Sequence, residues 1–310
     1  MVGTALTLFA TLALSPVCGT KPPLTRLATA AAPGIEAIVP TAGGYYALRR
    51  AEEQRSLWLG DARGNLVFWD KSPDNSTLLG ADRDGQPVLA SAKSVLSPRQ
   101  RKQPILVPWV EGKTRGVQHG VFVSGGVGSI TLQWSEVRGP AWTRDRPRQL
   151  ILDAPYDRRI SSVGVSPSLK RVAVSASGSA ASLLLFDLQV GSPPTAEVPL
   201  HWSDGGMLPK DAQINGLTLM DDRFALALIG TSDSSTAGEL SRLSLSRISL
   251  YTGEVEPLGE FLVSNPSHAI APLADGTFAL LAVEQRELSP KPFVTVDTRR
   301  VVYVMQLAKP

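Results

Sequence analysis

The chain has 310 residues, 43% hydrophobic and 19% charged, a balance that builds a core and excludes both a disordered polar chain and a polytopic membrane protein. A net charge of +3, with arginines scattered among acids, forms no massed basic tract, so nucleic acid is not an implied partner. One cysteine, Cys18, leaves no pair for an intrachain disulfide and no thiolate set for structural zinc.

Residues 1–20 read as an export or membrane-anchor segment. An apolar run over residues 5–14 precedes Cys18 and the rest of the chain carries no thiol, which fits an extracytoplasmic home, periplasmic or secreted. Three routes stay open. Cys18 is the candidate lipid anchor of a bacterial lipoprotein, although Ser15-Pro16-Val17 stands where a lipobox has Leu and small residues. Ala28-Thr29-Ala30 offers a small-x-small cleavage site. An uncleaved span is the third, and residues 2–17 fall short of the ~20 apolar residues that cross a bilayer. No Lys or Arg precedes Lys21, so the usual basic n-region is missing. Residues 21–33 shift to Pro, Thr and Ala and read as a tether, which places the folded domain at 34–310.

Within that domain short alternating runs recur between Gly, Pro and charged turns, and none shows a sustained helical period. The first unit has strand candidates at 35–39, 45–49, 56–59 and 66–69, with Gly64 free to take positive φ in the turn 61–65. The second has 77–80, 87–90 and 105–110, with a turn at 82–85 and a basic loop at 97–102. The third has 116–124, 130–135 and 149–152. Its Ser124-Gly125-Gly126-Val127-Gly128-Ser129 lacks the Lys and helix of a phosphate loop and reads as a hairpin turn. Three short strands at 160–165, 171–175 and 183–188 form the clearest unit. Strands at 214–220, 224–229 and 243–251 follow, and the last unit spans 269–272, 277–283, 293–296 and 301–307.

Unit starts near Ile35, Thr77, Val117, Ile160, Ile214 and Ala269 recur every ~40 to 55 residues, the spacing of blades in a β-propeller. The expectation is an all-β propeller of six four-stranded blades, or seven, with strands from the two chain ends sharing one blade so that no edge stays open. Within residues 166–191, Ser166-Pro167, then Lys170-Arg171-Val172-Ala173-Val174-Ser175, then Leu184-Leu185-Phe186-Asp187-Leu188 and Gly191 resemble the WD-repeat and related bacterial β-propellers. Leu57-Trp58-Leu59 and Phe68-Trp69-Asp70 echo the pattern. Ser168-Leu169 stands where such repeats carry Asp-Gly, and Phe186 where they carry Trp. The resemblance implies the fold and leaves the activity open.

No catalytic, cofactor or metal set is legible, and no cofactor is expected. His119, His201 and His268 lie far apart, without further ligands at metal spacing. His268 sits where a strand enters a unit and is the channel-lining candidate. The tryptophans read as packing between sheets. Arg99, Arg101, Lys102, Arg144, Arg146, Arg148, Arg158 and Arg159 lie in joints between strands and are the partner-binding candidates, forming a common basic face toward an acidic protein or anionic head groups. The reading preferred is a non-catalytic docking or accessory subunit of a bacterial membrane or envelope complex. The alternative is a hydrolase, lyase or dehydrogenase with its site in the central channel. A polar pocket on the axis favours the alternative, and a closed channel favours docking.

Overall fold

A computed structural model describes residues 23–41, 43–52, 54–72, 76–91, 94–96, 114–125, 129–134, 148–153, 159–177, 181–231, 236–237, 240–287 and 296–308. The chain opens with β1 (Leu24–Ala31), then β2 (Ile35–Thr41), β3 (Gly44–Ala51), β4 (Gln54–Gly60) and β5 (Leu66–Ser72). Next come β6 (Thr77–Ala81), β7 (Pro87–Ser91) and β8 (Ser94–Leu96), then β9 (Thr114–Gln118), β10 (Val121–Gly125), β11 (Ser129–Trp134) and β12 (Arg148–Asp153). The clearest unit of the sequence holds β13 (Arg159–Val165), β14 (Arg171–Ser177), β15 (Ser182–Asp187) and β16 (Gly191–Pro199). After it run β17 (His201–Trp202), β18 (Gln213–Leu219), β19 (Phe224–Gly230), β20 (Thr236–Ala237), β21 (Leu240–Ser249) and β22 (Glu254–Val263). The last three are β23 (Ile270–Pro272), β24 (Thr277–Glu287) and β25 (Val296–Leu307). The helical residues assigned among those described are one 3₁₀ turn, Pro266–His268.

These strands form an all-β propeller. The expectation of six or seven separate blades is corrected: among the described residues there are five sheets, one of them seven-stranded. A parallel bridge between Gly80 of β6 and Val117 of β9 joins the second and third sequence units into one double blade. Gly80 makes this possible, because a Cβ there would lie 1.7 Å from the Val117 carbonyl oxygen. The first strands of the six units, β2, β6, β9, β13, β18 and β23, pack side by side around the axis. Between β9 and β13 the link is a side chain: Gln118 donates to the Val163 carbonyl at 2.8 Å and accepts from the Val165 N–H at 2.8 Å.

Closure comes from the two ends. β1 pairs antiparallel with β25 from Leu24↔Leu307 to Ala31↔Val301, completing the sheet β1-β25-β24-β23. The tether expected over residues 21–33 is therefore corrected, since residues 24–31 are a strand of the propeller. Its Ala and Thr residues make a thin outer strand, with Ala30 and Leu24 turned toward the core. Three further corrections share one cause, outer or irregular strands with weak alternation. β16 and β22 are fourth strands that lay unmarked in the sequence, the former behind Pro193 and Pro194. Residues 116–124 are two strands, broken by a turn at His119-Gly120. The expected strands at 105–110 and 293–295 lie outside the described residues.

The core sits between neighbouring sheets. Phe278, Ile38, Tyr45 and Leu245 fill one interface, Leu219, Leu183 and Ile248 another, and Phe186, Val165 and Leu152 a third. Trp58, Trp69 and Trp202 are partly buried against these clusters, which is the packing role expected for them.

Candidate functional site

One kind of turn, five residues long in two copies and six in the third, recurs where strands meet the upper rim. In Asp61–Asn65 the Asp61 carboxylate accepts from the N–H groups of Arg63 and Asn65, both at 2.9 Å, and Gly64 takes φ +82° as expected. In Asp82–Gln86 the Asp82 Oδ1 accepts from Asp84 at 2.9 Å and from Gln86 at 2.8 Å. In Ser166–Arg171 the serine Oγ takes the same place, accepting from the Arg171 N–H at 3.0 Å. Leu169, standing where the resembling repeats have Gly, is held at φ +58°, a left-handed conformation that costs a Leu about 1 kcal/mol.

The turns that follow the six axial strands converge on one cavity of about 790 Å³ at the mouth of the channel. Its two walls differ. Thr41, Asp82, Arg83, Asp84 and His119 make a polar wall on the side of β2, β6 and β9. Pro167, Leu169, Met220, Pro272 and Leu273 make an apolar wall on the side of β13, β18 and β23. Asp82 is only 6% exposed, and among the described residues its Oδ2 accepts no hydrogen bond. Burial, ahead of its two backbone hydrogen bonds, pushes its carboxyl above the usual range, and the neighbouring Asp84 charge adds to the rise.

Below the mouth the passage narrows to about 50 Å³, lined by His119 and His268 together with Gln118, Gly116 and Gly216. His268 enters from the 3₁₀ turn before β23 and reaches across the axis, so that a Cβ on Gly116 of β9 would sit 3.6 Å from its Cε1. His119 occupies the β9–β10 turn at φ +51°, a strained position for a non-glycine residue. Neither imidazole makes a side-chain hydrogen bond among the described residues. Burial pushes both down to about 4. His201 lies elsewhere, on the strand β17, with ring nitrogens 3.0 Å from the Trp202 carbonyl and 3.1 Å from that of Thr252. Among the described residues no three His, Cys, Asp or Glu groups gather as a metal site.

The structure therefore brings together two of the three histidines and an acidic turn that the sequence marked only as a turn. Of the basic candidates, Arg99, Arg101, Lys102, Arg144, Arg146 and Arg158, like Cys18, lie outside the described residues. Arg148 begins β12 and Arg159 begins β13. Because β9 to β12 alternate in direction and β13 runs toward the mouth, Arg148 stands at the mouth end of the ring and Arg159 at the opposite end.

The two imidazoles fix the sign of a pH response. In the unfolded chain they titrate near 6.5 and in the fold near 4, so between these values the unfolded state binds more protons and acidification destabilises. Each histidine is expected to withdraw as much as about 3 kcal/mol across that window. Asp82, with its raised pKa, contributes in the opposite direction. Thermal melts from pH 7.5 to 4 should fall through the window, and the fall should shrink in the double variant His119→Gln, His268→Gln. An equally steep fall in that variant would show that these rings are not its source.

No protein-family model and no curated protein matches the sequence. Among solved structures, the chain is similar to the β-propeller domain of Myceliophteria thermophila Cps50 (Swd1), with TM-score 0.44 and 11% identity over 84% of this chain and 96% of that one. It is similar to a chain of the Mitotic Checkpoint Complex, with TM-score 0.44 and 12% identity over 99% and 100%. A third is Kluyvelomyces marxianus Hsv2, with TM-score 0.43 and 12% identity over 79% and 76%. The assignment as a β-propeller is one of fold and rests on the strand order and closure described above.

Proposed function

We propose that the protein is a docking or accessory subunit, an extracytoplasmic propeller held at a bacterial membrane that receives a segment of a partner protein in the mouth of its channel. The observation that carries this is the two-walled cavity. An extended segment laid across it would rest apolar side chains on Met220 and Leu273 and present hydrogen-bond donors or a cation to Asp82 and Asp84. A few such anchors in a well-packed hollow carry most of the energy of a docking contact. Cys18 with its acyl chains would hold the protein at the membrane, and because one chain binds only marginally, the docked partner would supply the second attraction.

The double variant Met220→Arg, Leu273→Asp places charge on the apolar wall at partly exposed positions. Recovery of the partner with the protein from solubilised membranes should drop about tenfold or more with an unchanged melt, whereas Val190→Arg, at an exposed site outside the cavity, should leave it intact. Unchanged recovery with the cavity variant would contradict the docking site.

A second reading, the channel enzyme that a polar pocket on the axis favours, draws on the polar wall and the passage beneath it. His119 and His268, free of side-chain hydrogen bonds among the described residues, face the passage beneath Asp82, and a channel enzyme would use such neutral rings as proton carriers. In that case His119→Ala and His268→Ala would remove turnover of a small substrate while partner recovery stayed constant.

A further inference from the structure

The incorporation of β1 into the propeller changes how the domain sits on its anchor. Thirteen residues of free tether over 21–33 would reach about 45 Å, but only residues 19–23 separate Cys18 from Leu24, a span of at most about 20 Å. The direction of exit is also set. Leu24 pairs with Leu307, and β25 runs toward the same end of the ring as the turn 273–277, which borders the channel mouth. The chain thus leaves the propeller toward the anchor at the mouth end, on the outermost strand of its sheet.

Three of the large apolar side chains left exposed lie at this corner. Leu27 of β1 is 50% exposed, and Val67 and Phe68 of β5 are 57% and 55% exposed. The two strands are the outermost of adjoining sheets, and the turn that leads into β5 packs on β1, since a Cβ on Gly64 would lie 2.8 Å from the Ala28 Cβ. β5 begins at the mouth end, so Val67 and Phe68 share the end of the ring from which the chain exits. Phe68 is braced edge-on against Trp58, with ring centroids 5.9 Å apart. An aromatic held outward in this way fits the boundary between head groups and acyl chains, and Arg63 and Lys71, both exposed, stand beside it with Asp61 and Asp70.

We propose that this corner, Leu27 with Val67 and Phe68, seats on the lipid surface and tilts the channel mouth toward the membrane. The proposal rests on the anchored reading above, and it names the lipid bilayer as the occupant because the short link holds the corner within about 20 Å of the acyl chains on Cys18. It follows that the segment docking in the mouth is presented from the membrane.

The test uses the full chain, purified with its native N-terminal modification and reconstituted in vesicles of phosphatidylethanolamine and phosphatidylglycerol. Leu27→Cys and Val67→Cys are labelled with an environment-sensitive dye, and Ala51→Cys, at the far end of the β3–β4 hairpin, and Val190→Cys, on another blade, serve as references. The unsubstituted protein, with Cys18 alone, supplies the background. Lipid-borne quenchers should dim the dyes at 27 and 67 roughly twofold more than those at 51 and 190, as expected for groups sunk a few ångströms into the interface. Protein that floats with the vesicles yet shows equal quenching at all four sites would overturn the seating while leaving the anchor standing. Protein that does not float at all would overturn the anchor and the seating together.

Discussion

Deleting residues 1–31 is expected to abolish the soluble folded monomer, whereas deleting 1–22 should leave it intact. The shorter deletion stops before β1. The longer one strips β1 from β25 along its whole register and bares the edge of a strand whose Val301, Val302, Val304 and Met305 are buried. It also removes Ala30 from the core cluster. At about 1 kcal/mol net for each ladder hydrogen bond, the loss is on the order of 5 kcal/mol, comparable with the whole stability of a typical domain. An unpaired apolar edge then recruits other copies. Size-exclusion chromatography and thermal melting read the result, and a 32–310 fragment that elutes and melts like the parent would return residues 24–31 to the status of a tether.

The second large effect is expected at Gly80. Its added Cβ would meet the Val117 oxygen at 1.7 Å and the Val117 carbonyl carbon at 2.6 Å, both backbone atoms that cannot swing aside. Gly80→Ala must therefore part β6 from β9, breaking the bridge that makes the double blade and loosening the cluster of Leu79, Val117 and Phe122 that packs across it. Overpacking of this kind costs about 3 kcal/mol. Gly43→Ala is the control, because no atom outside its chain neighbours lies within 4 Å of the site, and its effect should stay within about 0.5 kcal/mol. Equal melting of the two variants would mean that β6 and β9 are not locked together.

Much of this fold was legible residue by residue. Ile35, Thr77, Ile160 and Ile214 were read as unit starts from the rhythm of apolar strands and turns, and each lies in the axial strand of its unit. Buried strands bounded by clear turns announce themselves in this way. Outer strands do not: β16, exposed in succession at Thr195, Ala196 and Glu197, and β1, thin and rich in Ala and Thr, carry too little apolar pattern to be told from loop or tether. The axial strands also hide a shared irregularity. Register shifts at Ile35/Ala37, Leu78/Gly80, Ile160/Ser162 and Ile214/Gly216 place a bulge at corresponding points of four of them. A bulge breaks the period of two on which strand reading depends.

The site was less legible for a different reason. Asp82 was readable as a turn residue and is one, but it also lines a cavity that exists only because turns from distant units meet around the axis. His119 was set aside because it lay inside what read as one strand over 116–124, far from the other histidines. The His-Gly pair was the local sign of a turn there. What brings His119 and His268, 149 positions apart, to one passage is the closure of the ring, and no local pattern encodes it.

The central claim, that the channel mouth holds a segment of a partner protein, is tested most directly by photo-crosslinking from inside the cavity in intact cells. A photoreactive amino acid at Leu273 should give one discrete adduct with a second polypeptide, and the adduct should vanish when Met220→Arg is added. The same amino acid at Val190, away from the mouth, should give none. Absence of any adduct from Leu273, or an equal yield from Val190, would contradict the claim.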